Sequence, residues 1–221
     1  MEHLLTVRYP HDMGYYPKEP LAYPKVTYMA PFVLTDAKAC SQCKQNHAEF
    51  GGCDEQMLFV DTQTPVTVLN FEAFMQQMDG TPAGVGSRCD YLIYDEYEHR
   101  HRIAFCDLTC SAREYVEPND GRYPEGKRAK AYSQMKLSLE ALLRVEMLSI
   151  AIMTYPSKVA LFGWRERMSS ARRADDAMAS MLDFSITPDS EAGLLITDVS
   201  VMGKHFDFVQ VKHPEHYQWN S

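Results

Sequence analysis

The clearest periodic signal in the chain is FEAFMQQMD (71–79), where Phe71, Phe74, Met75 and Met78 recur at i, i+3, i+4 and i+7. That spacing predicts an amphipathic helix, and Asn70 just before it suits an N-cap because its side-chain oxygen accepts a first-turn N–H. Upstream, MLFV (57–60) and PVTVLN (65–70) read as strand pieces around a turn at Asp61–Thr64. Downstream, CDYLIY (89–94) and RIAFCDLTC (102–110) are strand-like, with the charged DEYEHRH (95–101) as the tip of a hairpin. A long helix is predicted from Lys127 to about Met153, its apolar face formed by Met135, Leu139, Leu142, Leu143, Met147 and Ile150. Lys127, Lys130 and Gln134 make a separate polar stripe near its start. KVALFGW (158–164) predicts a strand, SSARRADDAMASMLDF (169–184) a helix, and GLLITDVSV with KHFDFVQVK (193–201 and 204–212) a final hairpin turning at Met202-Gly203.

The first 31 residues follow no such period. Tyr9-Pro10, Tyr16-Pro17 and Tyr23-Pro24 are spaced seven apart and Ala30-Pro31 follows. Each proline biases the residue before it toward extended geometry, so 1–31 is expected to be an arm laid across the domain surface. Residues 32–56 are expected to form a cysteine-containing insertion, and 57–221 an α/β domain in which strands and helices share one core.

Composition narrows the class. At 221 residues, 45% hydrophobic and 24% charged, the chain resembles an ordinary globular domain. LSIAIM (148–153) stops at Thr154 and Pro156, too short to span a bilayer, so no membrane association is expected. MEHLLTVRYPHD carries no apolar signal core, so the cytoplasm is the expected location, and reduced thiols or a metal rather than disulfides are the expected uses of the six cysteines. A net charge of −8 argues against coating nucleic acid through the overall field; any basic footprint has to be local.

The chemistry concentrates in CDYLIYDEYEHRHRIAFCDLTCS (89–111), where two strand-like runs each carry an aspartate behind a cysteine. A carboxylate in a half-buried strand is costly unless something pairs with it. Side chains alternate along a strand, so Asp107 and Thr109 face one way and Cys106, Leu108 and Cys110 the other, the latter being the natural core side. A hairpin brings Asp90 beside Asp107 or one strand away. Two carboxylates so placed suit Mg²⁺ or Mn²⁺, which complete their shells with water and phosphate oxygens. The alternative is ordinary: Asp90 caps a turn, and Asp107 pairs with Arg102, Arg113 or a helix lysine.

The order of these elements resembles the PD-(D/E)XK phosphodiesterases of restriction-endonuclease-like fold. The resemblance rests on Asp90 in "CDYLI", Asp107 in "IAFCDLT", and Ala131 with Gln134 in "AYSQM", and covers roughly residues 65–165. It implies a mixed central sheet flanked by helices and a metal-dependent nuclease acting on DNA or RNA, in a defence or repair setting. It further implies Asp90 and Asp107 as metal ligands, Glu72 as a further acid on the preceding helix and Gln134 at the rim. Thr109 stands where the family has its lysine. Lys127 or Lys130 is then the candidate replacement, Lys130 being the one assigned to catalysis. If neither serves, the chain is an inactive scaffold or an interaction subunit that joins a protein partner. Such nucleases often work as homodimers.

Two further clusters are candidates for binding. CSQCKQNHAEFGGC (40–53) spaces Cys40, Cys43, His47 and Cys53 near a zinc-knuckle pattern without matching it, and four such ligands make a structural Zn²⁺ site. The same residues also coexist on loops without metal. WRERMSSARR (164–173) gathers Arg165, Arg167, Arg172 and Arg173, either a grip on a phosphate backbone or a solvated face partnered by Glu166, Asp175 and Asp176. Cys89, Cys106 and Cys110 read as small buried hydrophobes.

Overall fold

The computed structural model describes residues 1–35, 58–78, 88–95, 101–111, 115, 116, 118, 125–166, 195, 196 and 206–220. The cysteine cluster 40–53, the hairpin tip 96–100, Arg113, and the arginine-rich segment beyond Glu166 lie outside the described residues. A π-helical turn, Leu4–Arg8, runs into the short helix α1 (Tyr9–Asp12). Then come β1 (Lys25–Tyr28), β2 (Phe32–Leu34), β3 (Leu58–Asp61), β4 (Val66–Asn70), α2 (Phe71–Gln76), β5 (Tyr91–Asp95) and β6 (Arg102–Ser111). The second half supplies α3 (Gly126–Leu143), α4 (Glu146–Met153), β7 (Ser157–Glu166), β8 (Leu195–Ile196), β9 (Asp207–Lys212) and β10 (His216–Gln218).

Among the described residues, seven strands form a central mixed sheet in the order β1-β4-β5-β6-β7-β9-β8, and three form a small sheet in the order β10-β3-β2. Strands β4, β5 and β6 run antiparallel in sequence order, then β7 pairs parallel with β6 and β9 parallel with β7. The architecture is therefore mixed α/β, helices on one face of the central sheet and the small sheet on the other. The alternation of strand side chains builds both cores. Leu92, Ile103, Phe105, Ala160, Phe162 and Phe208 meet Ala131, Met135, Leu139 and Leu142 of α3 on the helical face. Ile93, Ala104, Cys106, Leu108, Val159 and Leu161 meet Leu34, Leu58 and Val60 on the other. Both faces of β6 are thus covered, so the cysteine–leucine side is one core of two. Among the described residues no helix is long and apolar enough to cross a membrane.

Asn70 caps α2 as its sequence predicts, its Oδ1 accepting the Ala73 N–H at 2.9 Å. The long helix expected over 127–153 is instead two, because Val145 takes an extended conformation (φ −97°, ψ 113°). The reason lies in the phase of the apolar stripe. Met135, Leu139 and Leu142 are buried, and an uninterrupted helix would next carry Glu146 and Ser149 into the core. Breaking at Val145 re-phases the chain: Val145, Leu148 and Ile152 go inside, and Met147 and Ile150 stay exposed. The N-terminal segment is also less extended than its prolines suggest. Leu5 and Tyr9, four apart, bury in the main core from the helical turns, and Lys25–Tyr28 adds an edge strand paired antiparallel to β4.

Candidate functional site

The two aspartates sit at neighbouring positions of two interior strands, at the end of the central sheet where β5 begins. Tyr91 pairs with Cys106 in the β5–β6 ladder, and continuing that antiparallel register by one residue sets Asp90 opposite Asp107. Asp90 is held there by two elements at once. Its carboxylate Oδ2 accepts the Leu108 N–H of β6 at 2.8 Å. Its main-chain carbonyl accepts the Phe71 N–H at 2.9 Å and the Glu72 N–H at 3.3 Å, so the first turn of α2 sits on it. Glu72, the further acid of the predicted set, therefore abuts Asp90 through its backbone and is itself half-buried.

Asp107 is only 7% exposed and lies on the helical face of β6, where Ile103 and Phe105 also point. The electrostatics of the buried thiols register both carboxylates. Burial above all, and then the charges of Asp107 and Asp90, push the Cys89 thiol far up, against a lowering hydrogen bond from Ser138. Cys106 is raised in the same way, by burial first and then by Asp90 and Asp107. Both cysteines are free, fully buried and packed as small hydrophobes. Among the described residues no group of three or more His, Cys, Asp or Glu side chains is gathered in a metal-holding arrangement. Two carboxylates suit Mg²⁺ or Mn²⁺ nonetheless, since such ions draw few ligands from protein and the rest from water and phosphate.

Lys127 reaches the same end of the sheet from the helix above. The left-handed conformation of Gly126 (φ 77°), which a side chain would strain, opens α3, and the Arg128 N–H anchors its first turn on the Val116 carbonyl at 3.1 Å. The Lys127 ammonium then donates to the Thr109 hydroxyl at 3.2 Å. Thr109 is two residues beyond Asp107 and on its face of the strand. Lys130, almost one turn further along, is solvent-exposed. Gln134 donates from Nε2 to the Arg88 carbonyl at 2.9 Å, two residues ahead of Asp90.

Arg102 does not serve as the aspartate's neighbour. Its guanidinium donates to the carbonyls of Gln218 and Trp219 and its Nε to the Ser157 hydroxyl at 2.9 Å. Five residues of strand separate it from Asp107, about 17 Å at ~3.4 Å per residue.

Several residues at or near this end of the sheet carry no motif. Thr109, Trp164 and Lys212 are register neighbours across β6, β7 and β9, and the Lys212 ammonium lies 5.3 Å from the centre of the Trp164 ring. Only the three-dimensional strand order brings them together. Ser138 is different: it is a buried hydroxyl interrupting the apolar stripe of α3, and that interruption is visible in sequence. No family model, curated protein or solved structure matches this chain.

Proposed function

We propose that the protein is a divalent-metal-dependent nuclease of restriction-endonuclease-like fold. What supports this reading is the neighbouring placement of Asp90 and Asp107 at one end of β5 and β6, with the Lys127 ammonium donating to Thr109 two residues beyond Asp107. The element order is compatible with it: helix α2, the antiparallel strands β5 and β6, the helices α3 and α4 and the parallel strand β7 follow one another in one mixed sheet flanked by helices.

Asp90 and Asp107 would hold Mg²⁺ or Mn²⁺, with Glu72 next to them on α2. A bound divalent ion at such a site lowers the pKa of a water and offsets charge on the attacked phosphate. The chain's own contribution is placement. Leu108 N–H fixes the Asp90 carboxylate, β6 fixes Asp107, and Lys127 supplies the positive charge that the residue at position 109 lacks. A nucleic acid approaching this end of the sheet would also meet Arg128, Lys130 and Lys212, basic residues carried by the start of α3 and the end of β9. This is the local basic footprint that a chain of net charge −8 requires.

Threonine at position 109 favours a second reading, in which the fold persists as a non-catalytic subunit of a protein complex. Incubation with labelled DNA and labelled RNA in Mn²⁺ separates the two. The nuclease reading expects cleavage of at least one of them by the wild type and none by Asp107→Asn. Equal products from both proteins, or no cleavage and stable co-purification with another protein, would remove it.

A further inference from the structure

We infer that Ser138 is a positioning residue for the metal-binding carboxylates, acting through the main chain just ahead of Asp90. The inference rests on the metal-site reading above and adds a residue that no motif in the sequence designates.

Ser138 sits in the middle of α3 and is 2% exposed, in a stripe otherwise made of Ala131, Met135, Leu139 and Leu142. A hydroxyl buried there needs both of its roles filled. It donates to the Gln134 carbonyl one turn back at 2.8 Å, which aims a lone pair outward from the helix. That lone pair accepts the Cys89 N–H at 2.9 Å. One turn earlier on the same helix, Gln134 Nε2 donates to the Arg88 carbonyl at 2.9 Å. Two consecutive residues, Arg88 and Cys89, are thus pinned to α3 by a donor and an acceptor spaced four apart.

The next residue is Asp90. Its carbonyl is capped by the amides of α2 and its carboxylate by Leu108 N–H, so its backbone is held from the upstream side by α3 and from the downstream side by α2. The clamp has the geometry of groups that orient ligands from behind: it touches no metal or substrate position itself, and it fixes the main chain from which one carboxylate springs. It also couples the two halves of the site, because the helix that carries Lys127 is the helix that holds Asp90.

The test is Mn²⁺ affinity, measured by calorimetry on the full chain, with folding followed by circular dichroism. Ser138→Ala is expected to bind Mn²⁺ roughly 10- to 100-fold more weakly than wild type, the range typical of lost orienting partners. Ser138→Thr, which keeps the hydroxyl, is expected to restore affinity to near wild type. Leu142→Ala, a core truncation on the same helix, loses thermal stability yet keeps wild-type Mn²⁺ affinity, which a merely structural role for Ser138 would not distinguish. Wild-type affinity in Ser138→Ala overturns the inference while leaving the metal site standing. Should Ser138→Ala not fold, Gln134→Leu cuts the other half of the clamp, and undiminished Mn²⁺ binding by that variant overturns it equally. No Mn²⁺ binding by the wild type ends the metal-site reading, and this inference with it.

Discussion

The Lys127 ammonium and the Thr109 hydroxyl meet at 3.2 Å, one from a helix and one from a strand. The contact places a positive charge two residues beyond Asp107, at the strand position where the family resemblance leads one to look for a lysine. Charge at a site is a property of space rather than of sequence position, and a helix passing over the strand supplies it as well as the strand itself.

On the nuclease reading, Lys127→Gln should therefore slow single-turnover cleavage by about 10²-fold or more, the usual scale for losing one positioned catalytic group. Lys130→Gln, changing an exposed side chain of the same helix, should remain within a few-fold of wild type. Adding Thr109→Lys to the Lys127→Gln protein should restore part of the lost rate. Wild-type speed in Lys127→Gln would show that the ammonium has no part in the chemistry.

A second buried acid has a different job. Asp95, 2% exposed, accepts the His101 and Arg102 N–H groups at 3.1 and 2.7 Å and the Trp219 indole N–H, tying the β5–β6 hairpin to the C-terminal segment. Asp95→Ala strands these donors without an acceptor and should cost about 3 kcal/mol in urea denaturation, given ~1–3 kcal/mol for each unsatisfied buried group. Because Asp95 is five residues along the strand from Asp90, Mn²⁺ affinity should not change. A loss of affinity in the folded variant would contradict this division of labour.

Gly163 of β7 packs tightly against Leu108 of β6 and Leu58 of the small sheet. A Cβ there would lie 2.6 Å from Leu108 Cδ2 and 3.2 Å from Leu58 Cβ. Leucine's branch end can swing aside but Leu58 Cβ moves only with its backbone, so Gly163→Ala should destabilise by ~1–3 kcal/mol through overpacking. Leu108→Val in the same chain should recover only part. An unchanged urea midpoint for Gly163→Ala would contradict the packing described.

Acid should weaken the fold through His213, which stacks on Phe59 at 5.4 Å between ring centres. Burial, with Arg165 acting the same way, holds its imidazole below the ordinary histidine value. The sign follows from linkage: as pH falls through about 6.5 the unfolded chain takes up the proton first, so stability that is intact above this value declines below it. Asp61, held low by hydrogen bonds from His216 and Gln218, adds a loss in the same direction only in the carboxylate range. Urea midpoints should be flat above roughly pH 7 and fall toward pH 5.5, with a shallower fall in His213→Gln. Parallel curves for the two proteins would exclude His213 as the source.

Much of this fold is legible in local pattern. The capped helix after Asn70, the β5–β6 pair and strand β7 follow from periods and caps that act over a few residues. The break at Val145 does not, since no proline or glycine signals it; it arises because a straight helix would bury Glu146, a cost set by the sheet beneath. The strand His216–Gln218 pairs with Phe59–Asp61, more than 150 residues away, and nothing in three residues announces such a partner. At the site, the facing of Asp107 and Thr109 follows from alternation, and Asp90 from the hairpin. That Lys127 rather than Lys130 meets Thr109 depends on where Gly126 starts the helix, which no stripe of basic residues specifies.

The central claim is that Asp90 and Asp107 share one divalent ion. The most direct measurement is an anomalous difference map from crystals grown with Mn²⁺. The account predicts a single peak within about 2.0–2.3 Å of an oxygen from each carboxylate, the usual span for small hard cations. A map with no peak there, or with the ion on one aspartate alone and the other carboxylate turned away to a different partner, would contradict it.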